Sequence, residues 1–413
     1  MARPVPNADA MRRSRMALFT LNFFMADMQA GTGPFLGVYL QSHHWTTDSI
    51  GTVITLGGIA AMAVTTPAGA FIDRTHYKRA AIVISGVCTV LASALILFSL
   101  SFGAVALSQA ATAIAGAVIG PAVVGLTLGV VRQQGFIRQN GQNQAFNHAG
   151  NMTGAALSGF LGWKFGLVAV FLLAGLFAVL SIISVLAVSA STIDHRAARG
   201  LGSSPSGGSA KGFAVLLECK PLLILAFALM LFHLGNAAML PFYGLAVVAT
   251  HQANPALFVA TTVVVAQGVM VAASLVALRM AETRGYWIVM LISFLALPVR
   301  GLLAASLLRP WGVFPIQALD GIGAGLQSVA VPGLVARIMN GTGRVNVAQG
   351  AVMTMQGIGA ALSPALGGLI AQNAGYPTAF IILGIIAVPS VLLWLGFSRS
   401  VKTAATVLNP KAV

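Results

Sequence analysis

Gly154-Ala155-Ala156-Leu157-Ser158 returns 205 residues later as Gly359-Ala360-Ala361-Leu362-Ser363, and that echo decides how the chain is read. At the same offset Gly116 returns as Gly321, Gly120 as Gly325, Arg132 as Arg337 and Gln144 as Gln349. Near the start of each half, Pro34-Phe35-Leu36-Gly37 answers Pro241-Phe242-Tyr243-Gly244 at an offset of 207. A repeat at half the chain length marks a duplicated unit. In an apolar chain, two parallel copies imply transport through a site between the halves.

Composition sets the class. Of 413 residues, 57% are hydrophobic and 8% charged, whereas roughly 25% of a soluble domain is charged. A helix that crosses the hydrocarbon needs about 20 mainly apolar residues. Twelve runs reach that length: Met16–Gln41, Ser49–Ile72, Ala80–Leu100, Phe102–Val131, Gly141–Trp163, Gly166–Ser189, Pro221–Ala249, Ala256–Leu278, Tyr286–Leu308, Trp311–Ile338, Val345–Ala371 and Pro377–Phe397. They are unbroken and lack period-two alternation, which favours helices over barrel strands. An all-α integral membrane protein is expected, with twelve transmembrane helices in two pseudo-symmetric six-helix bundles. Residues 1–189 form the first bundle, 190–220 a cytoplasmic linker and 221–413 the second. The linker's centre, Gly200–Gly212, is nearly all Gly, Ser, Pro and Ala, the composition of a flexible tether.

The net charge of +15 is distributed by side. With the N-terminus and alternate loops on one face, twenty of the 23 Lys and Arg residues fall there. Lys164 and Arg309 lie on the other face, and Arg300 lies inside a run. Such a bias puts both termini in the cytoplasm of a bacterial inner membrane. The basic loops suit anionic lipid rather than nucleic acid. Met16–Gln41 is too long for a signal-peptide core and reads as an uncleaved first helix. Cys88 and Cys219 fall in different halves and suggest no disulfide framework.

Polar groups at bilayer depth are costly, so each one asks for a reason. The fifth run carries Gln144, Asn147, His148 and Asn151 at i, i+3, i+4 and i+7, a stripe on one helical face. Its repeat in the eleventh run keeps Gln349 and Gln356 but substitutes Val352 and Met353. Asn22 and Gln29 share a face of the first run, and His233 and Asn236 a face of the seventh. These residues are expected either to line a substrate cavity or to hydrogen-bond helix to helix. Arg300 and Asp320 sit at similar depth on antiparallel neighbours, as a buried pair or as a pair that releases one partner to a proton or a charged substrate. Asp27 has no partner at its depth and points about 140° from Asn22, so it reads as a proton carrier or as a packing acid. No His, Cys and carboxylate cluster has metal spacing, and no cofactor fingerprint is present.

The whole chain resembles the major facilitator superfamily. Between the second and third helices that family carries G-x-x-x-D-R-x-G-R-[RK]. Here Gly69, Asp73, Arg74 and Lys78 match, with Arg79 following, while His76 and Tyr77 depart. The resemblance implies that this cluster is a cytoplasmic gate latch. The antiporter signature G-x-x-x-G-P-x-x-G-G is partly present in the fifth run, at Gly154 and Gly162. It is better kept in the eleventh, at Gly359, Pro364, Gly367 and Gly368. The arginine that the family often places in the fourth helix is replaced by Thr112 and, in the repeat, Gln317.

A monomeric secondary active transporter of a small organic solute is therefore expected, working by alternating access. The coupling expected is proton-linked export of a drug-like compound or metabolite. Proton-coupled uptake of a small, possibly anionic nutrient is the alternative. A membrane enzyme would need a nucleophile–base or metal constellation, and none emerges.

Overall fold

The computed structural model describes residues 8–30, 36, 39–40, 43–201, 214–248 and 255–405, and among them it is helical without a strand. The helices are α1 (Ala8–Ala30), α2 (Thr47–Arg74), α3 (Lys78–Phe98), α4 (Phe102–Phe165) and α5 (Val168–Ala187). They continue with α6 (Ala214–Glu218), α7 (Lys220–Asn236), α8 (Met239–Val248), α9 (Pro255–Arg284) and α10 (Tyr286–Ser306). The last are α11 (Val313–Ile338), α12 (Val345–Gly396) and α13 (Ser398–Ala405). Nine helical stretches among the described residues are long and apolar enough to cross a membrane. Two of them are double-length. A straight 64-residue helix would be roughly three times the hydrocarbon thickness, and α4 is not straight: Arg132, at φ 55° and ψ −177°, separates the fourth and fifth runs.

The repeat survives in backbone geometry. Gly166 (φ 83°, ψ 167°) ends α4 before α5, and Gly375 (φ 80°, ψ 164°) divides the eleventh run from the twelfth within α12. Both hold the left-handed extended conformation that only glycine adopts without strain. Two boundaries differ from the sequence expectation. The first helix begins at Ala8, in the basic segment, and the seventh run breaks between Asn236 and Met239 instead of continuing to Ala249.

The chain packs as two compact units. The first comprises residues 1–211 with 339–350, the second 212–338 with 351–413. In the first, α4 is the common wall for α1, α2 and α3. Its core gathers Leu18, Leu21, Ile72, Ile119, Leu126 and Val185, and a second cluster joins Leu40, Val53, Ile96 and Phe171, with partly buried Trp45 packed against it. The segment after α5 is partly folded onto this unit. Ile193 and Ala198 are buried, and the Asp194 amide donates to the Gly129 carbonyl at 2.8 Å. Those two apolar side chains, unusual in a tether, give residues 190–201 something to bury. Of the Gly-Ser-rich centre, residues 202–212 lie outside the described residues.

In the second unit α11 packs against α9 and α10. Small residues set the distances. A β-carbon on Gly359 would run into the Met230 carbonyl of α7. Gly359→Ala is therefore expected to cost about 1–3 kcal/mol by overpacking, read as a lowered thermal midpoint in detergent. An unchanged midpoint would mean that these helices separate at no cost. Trp394 is fully buried and donates its indole N–H to the Trp287 carbonyl at 2.9 Å.

Candidate functional site

Each unit carries its own buried polar cluster. In the first unit, α2 ends at Arg74, and Asp73 in its last turn is wholly buried. A carboxylate there faces the unfavourable end of its own helix dipole. Its compensation comes from another helix start. Oδ1 accepts from the Asn346 backbone N–H at 3.2 Å and from Asn346 Nδ2 at 2.7 Å, and Oδ2 accepts from the Val347 N–H at 2.9 Å. These are the first amides of α12, which have no intrahelical acceptor. Asn346 Nδ2 also donates to the Ala198 carbonyl at 2.9 Å. Gly69 permits the approach, because a β-carbon there would collide with the Asn346 carbonyl.

The basic residues expected around Asp73 are dispersed. Arg74 is exposed, and Arg79 Nη2 donates to the Leu186 carbonyl at 2.7 Å. Lys78 is buried, lies within Coulombic range of Asp73, and donates to the Thr75 carbonyl at 2.8 Å. Backbone and side-chain amides meet the carboxylate instead; they arrive with a favourable dipole and need little desolvation of charge.

The polar stripe of the fifth run lies on the second arm of α4. Asn147 Nδ2 donates to the Asn22 carbonyl at 3.2 Å, joining that stripe to α1, while Asn22 Nδ2 turns back onto the Leu18 carbonyl at 2.8 Å. His148 is buried, Gln144 is half-buried, and Asn151 Oδ1 is buried with no partner. The side chains of Asp27 and Gln29 lie outside the described residues. A further network sits one to two turns earlier on α4. Arg15 Nε donates to Gln139 Oε1 at 2.9 Å, Gln139 Nε2 to Asn143 Oδ1 at 3.1 Å, and Asn143 Nδ2 to Thr127 Oγ1 at 3.2 Å. The i, i+4, i+8 spacing of Gln139, Asn143 and Asn147 is the sequence signal for this network, a row that meets the expected stripe at Asn147 and drifts away from its face toward Gln139.

In the second unit Arg300 is 1% exposed, on α10. Its Nη1 donates to Asp320 Oδ1 of α11 and to Asn236 Oδ1 of α7, both at 2.6 Å. The Asp320 side chain is 13% exposed. His233, one turn before Asn236, is half-buried, and its Nδ1 lies 2.9 Å from the Leu229 carbonyl. Gln349 is buried with its Oε1 unpartnered and belongs to the first unit, whereas half-buried Gln356 belongs to the second. The expected residues are thus brought together in part: Asn22 with Asn147, and Asn236 with Arg300 and Asp320.

Fold and site together define a helical, multi-pass membrane protein that keeps paired charges and amides in its interior. The Major Facilitator Superfamily model matches residues 18–347 and again 225–411. The chain belongs to that family, as a transporter of bacterial type rather than an enzyme. An uncharacterized MFS-type transporter of Mycobacterium tuberculosis, found in two strains, is 39% identical over 387 residues, or 93% of this chain and 92% of the relative. Among solved structures, the human organic anion transporter MFSD10 (TETRAN) superposes with a TM-score of 0.73 at 14% identity, covering 93% of this chain and 99% of that one. FucP in the outward conformation gives a TM-score of 0.68 at 13% identity, covering 94% and 99%. These two show the fold.

Proposed function

We propose that this secondary transporter exports a small, drug-like compound or metabolite in exchange for protons, by alternating access, from a bacterial inner membrane with both termini in the cytoplasm. The buried Arg300–Asp320 pair, with Nη1 and Oδ1 2.6 Å apart, carries the reading. One proton on Asp320 would remove the charge that holds the guanidinium, so protonation and a change of partners at Arg300 are linked through a single bond. Partial burial makes that linkage strong, because charges interact more strongly away from water. The direction rests on the glycine and proline pattern at Gly359, Pro364, Gly367 and Gly368, which resembles that of antiporters. The expected orientation rests on the Lys and Arg bias. We assign the Asn22–Asn147 and His233–Asn236 faces to the solute path, and Asp73 with its neighbours Gly69, Arg74, Lys78 and Arg79 to the cytoplasmic gate.

Proteoliposomes test the coupling. An imposed pH gradient is expected to drive flux of at least one compound in a panel, and a protonophore to abolish it. Flux indifferent to the gradient would end the proton reading. A deletion strain tests direction, with hypersensitivity to toxic compounds expected for export. Loss of growth on a nutrient would instead favour uptake, the reading that the unpaired edge of Arg300 supports.

A further inference from the structure

We propose that Arg300 and Gln317 form a carboxylate-binding site inside the second unit, and that the cargo or a tightly bound ligand is a small organic monoanion with an apolar body. The proposal rests on the secondary-transporter reading but not on its direction.

The argument starts from an inventory of N–H groups. A guanidinium has five donors in a fixed plane. Both donors on Nη1 are used, one on Asn236 and one on Asp320. Nε and Nη2 are buried without a hydrogen-bond partner. Nε–H and one Nη2–H project side by side from one edge, the edge that meets a carboxylate through two parallel hydrogen bonds. Leaving that edge empty in an apolar interior is costly, because each donor has given up water.

Gln317 has the same defect on the neighbouring helix. It is 0% exposed, and both its Nε2 and its Oε1 lack partners. It stands three residues before Asp320 on α11, hence on the same face. The register between α10 and α11 places it at the depth of Arg300. Ser293 Oγ donates to the Gly323 carbonyl and accepts from Gln327 Nε2, while Arg300 meets Asp320. In this antiparallel pair, a step of seven residues back along α11 from Gly323 or Gln327 accompanies seven forward from Ser293 to Arg300. That step reaches residues 316–320, which bracket Gln317. Two buried groups at one level, with unfilled donors on each, describe a socket for an acceptor-rich anion. An amide N–H from Gln317 would complete what the guanidinium edge begins.

Residues beside the socket set the rest of the ligand. Phe232 lies one turn before Asn236 on the same face of α7 and packs close to Gly323 of α11, so the body attached to the carboxylate meets an apolar surface. Asp320 sets the sign of the control. It already neutralises Arg300, so an incoming anion competes with it for the same positive charge.

Equilibrium binding of benzoate to the purified full-length transporter in detergent, with neutral benzamide as control, tests the site. Benzoate is expected to bind and benzamide to bind far more weakly. Gln317→Leu, which leaves the ion pair intact, should raise the benzoate Kd about tenfold by removing a hydrogen bond to a charged group. Asp320→Asn should lower it about tenfold by removing the competing carboxylate, a sign that a merely structural pair would not give. Absence of benzoate binding, equal binding of benzamide, or Kd values unchanged in both variants would overturn the proposal. Ordered water filling the Arg300 edge predicts the first of these results. Proton movement in proteoliposomes is measured separately, so a protein that binds benzoate but couples nothing to a pH gradient supports the site and defeats the coupling.

Discussion

Asp73→Asn is expected to reduce transport at least about tenfold while leaving expression and membrane insertion intact. The carboxylate uses both oxygens: Asn346 supplies two donors to Oδ1 and Val347 one to Oδ2. An asparagine has one acceptor oxygen, so its NH₂ group would face an N–H of α12. One orphaned buried donor costs about 1–3 kcal/mol, and loss of the negative charge at a helix N-terminus adds about 0.3–1 kcal/mol. Asn346→Ala should have a smaller effect in the same direction, because it removes the Nδ2 bonds to Asp73 and to the Ala198 carbonyl while the two backbone bonds to Asp73 remain. Flux in vesicles and the thermal midpoint are the two measurements. Undiminished flux in Asp73→Asn would remove Asp73 from the gate and leave it a packing acid.

Arg300→Met is expected to be the most damaging single change in the second unit. It strips Asp320 and Asn236 of their shared donor and leaves a carboxylate with little access to water. Breaking such a pair from one side typically costs about 3–5 kcal/mol, whereas replacing both partners by apolar residues of similar size is often neutral. The double variant Arg300→Met/Asp320→Leu should therefore recover most of the thermal stability lost in Arg300→Met and still fail to transport. If it recovers transport as well, the pair is structural only. If it recovers neither, Arg300 contributes through packing rather than charge. Asp320→Asn keeps an amide oxygen for Nη1 but leaves the buried guanidinium without a countercharge, so its loss of stability should approach that of Arg300→Met and exceed that of the double variant.

Much of the architecture was legible. The 205-residue offset, the twelve apolar runs and the sided Lys and Arg residues all point to a membrane protein of this family, to which the chain belongs. The depth argument that put Arg300 beside Asp320 needed only helix lengths and antiparallel order. The Asp73 partners were not legible. Asn346 is 273 residues away, and a hydrogen bond between distant segments leaves no periodicity in either. The same holds for Asn236, which was readable as polar on a face but not as a partner of Arg300. Gln139 and Asn143 recur at a regular spacing, but spacing marks only a polar row and not the partners Arg15 and Thr127 that it meets. The burial of Gln317 with both polar atoms unpartnered is a property of its surroundings, which no local pattern encodes.

By itself the sequence determined which segments are long and apolar enough to cross a membrane, that they are helices and that motifs of the first half recur in the second. Those properties are sums over about 20 neighbouring residues, because lipid tests hydrophobic length and forces backbone hydrogen bonds to close locally. Only the tertiary structure decided that α12 amides hold Asp73, that residues 190–201 fold onto the first unit, and that Arg300 keeps one edge unfilled. Hydrogen bonds are directional and short-ranged, so which donor meets which acceptor depends on where distant helices place single atoms.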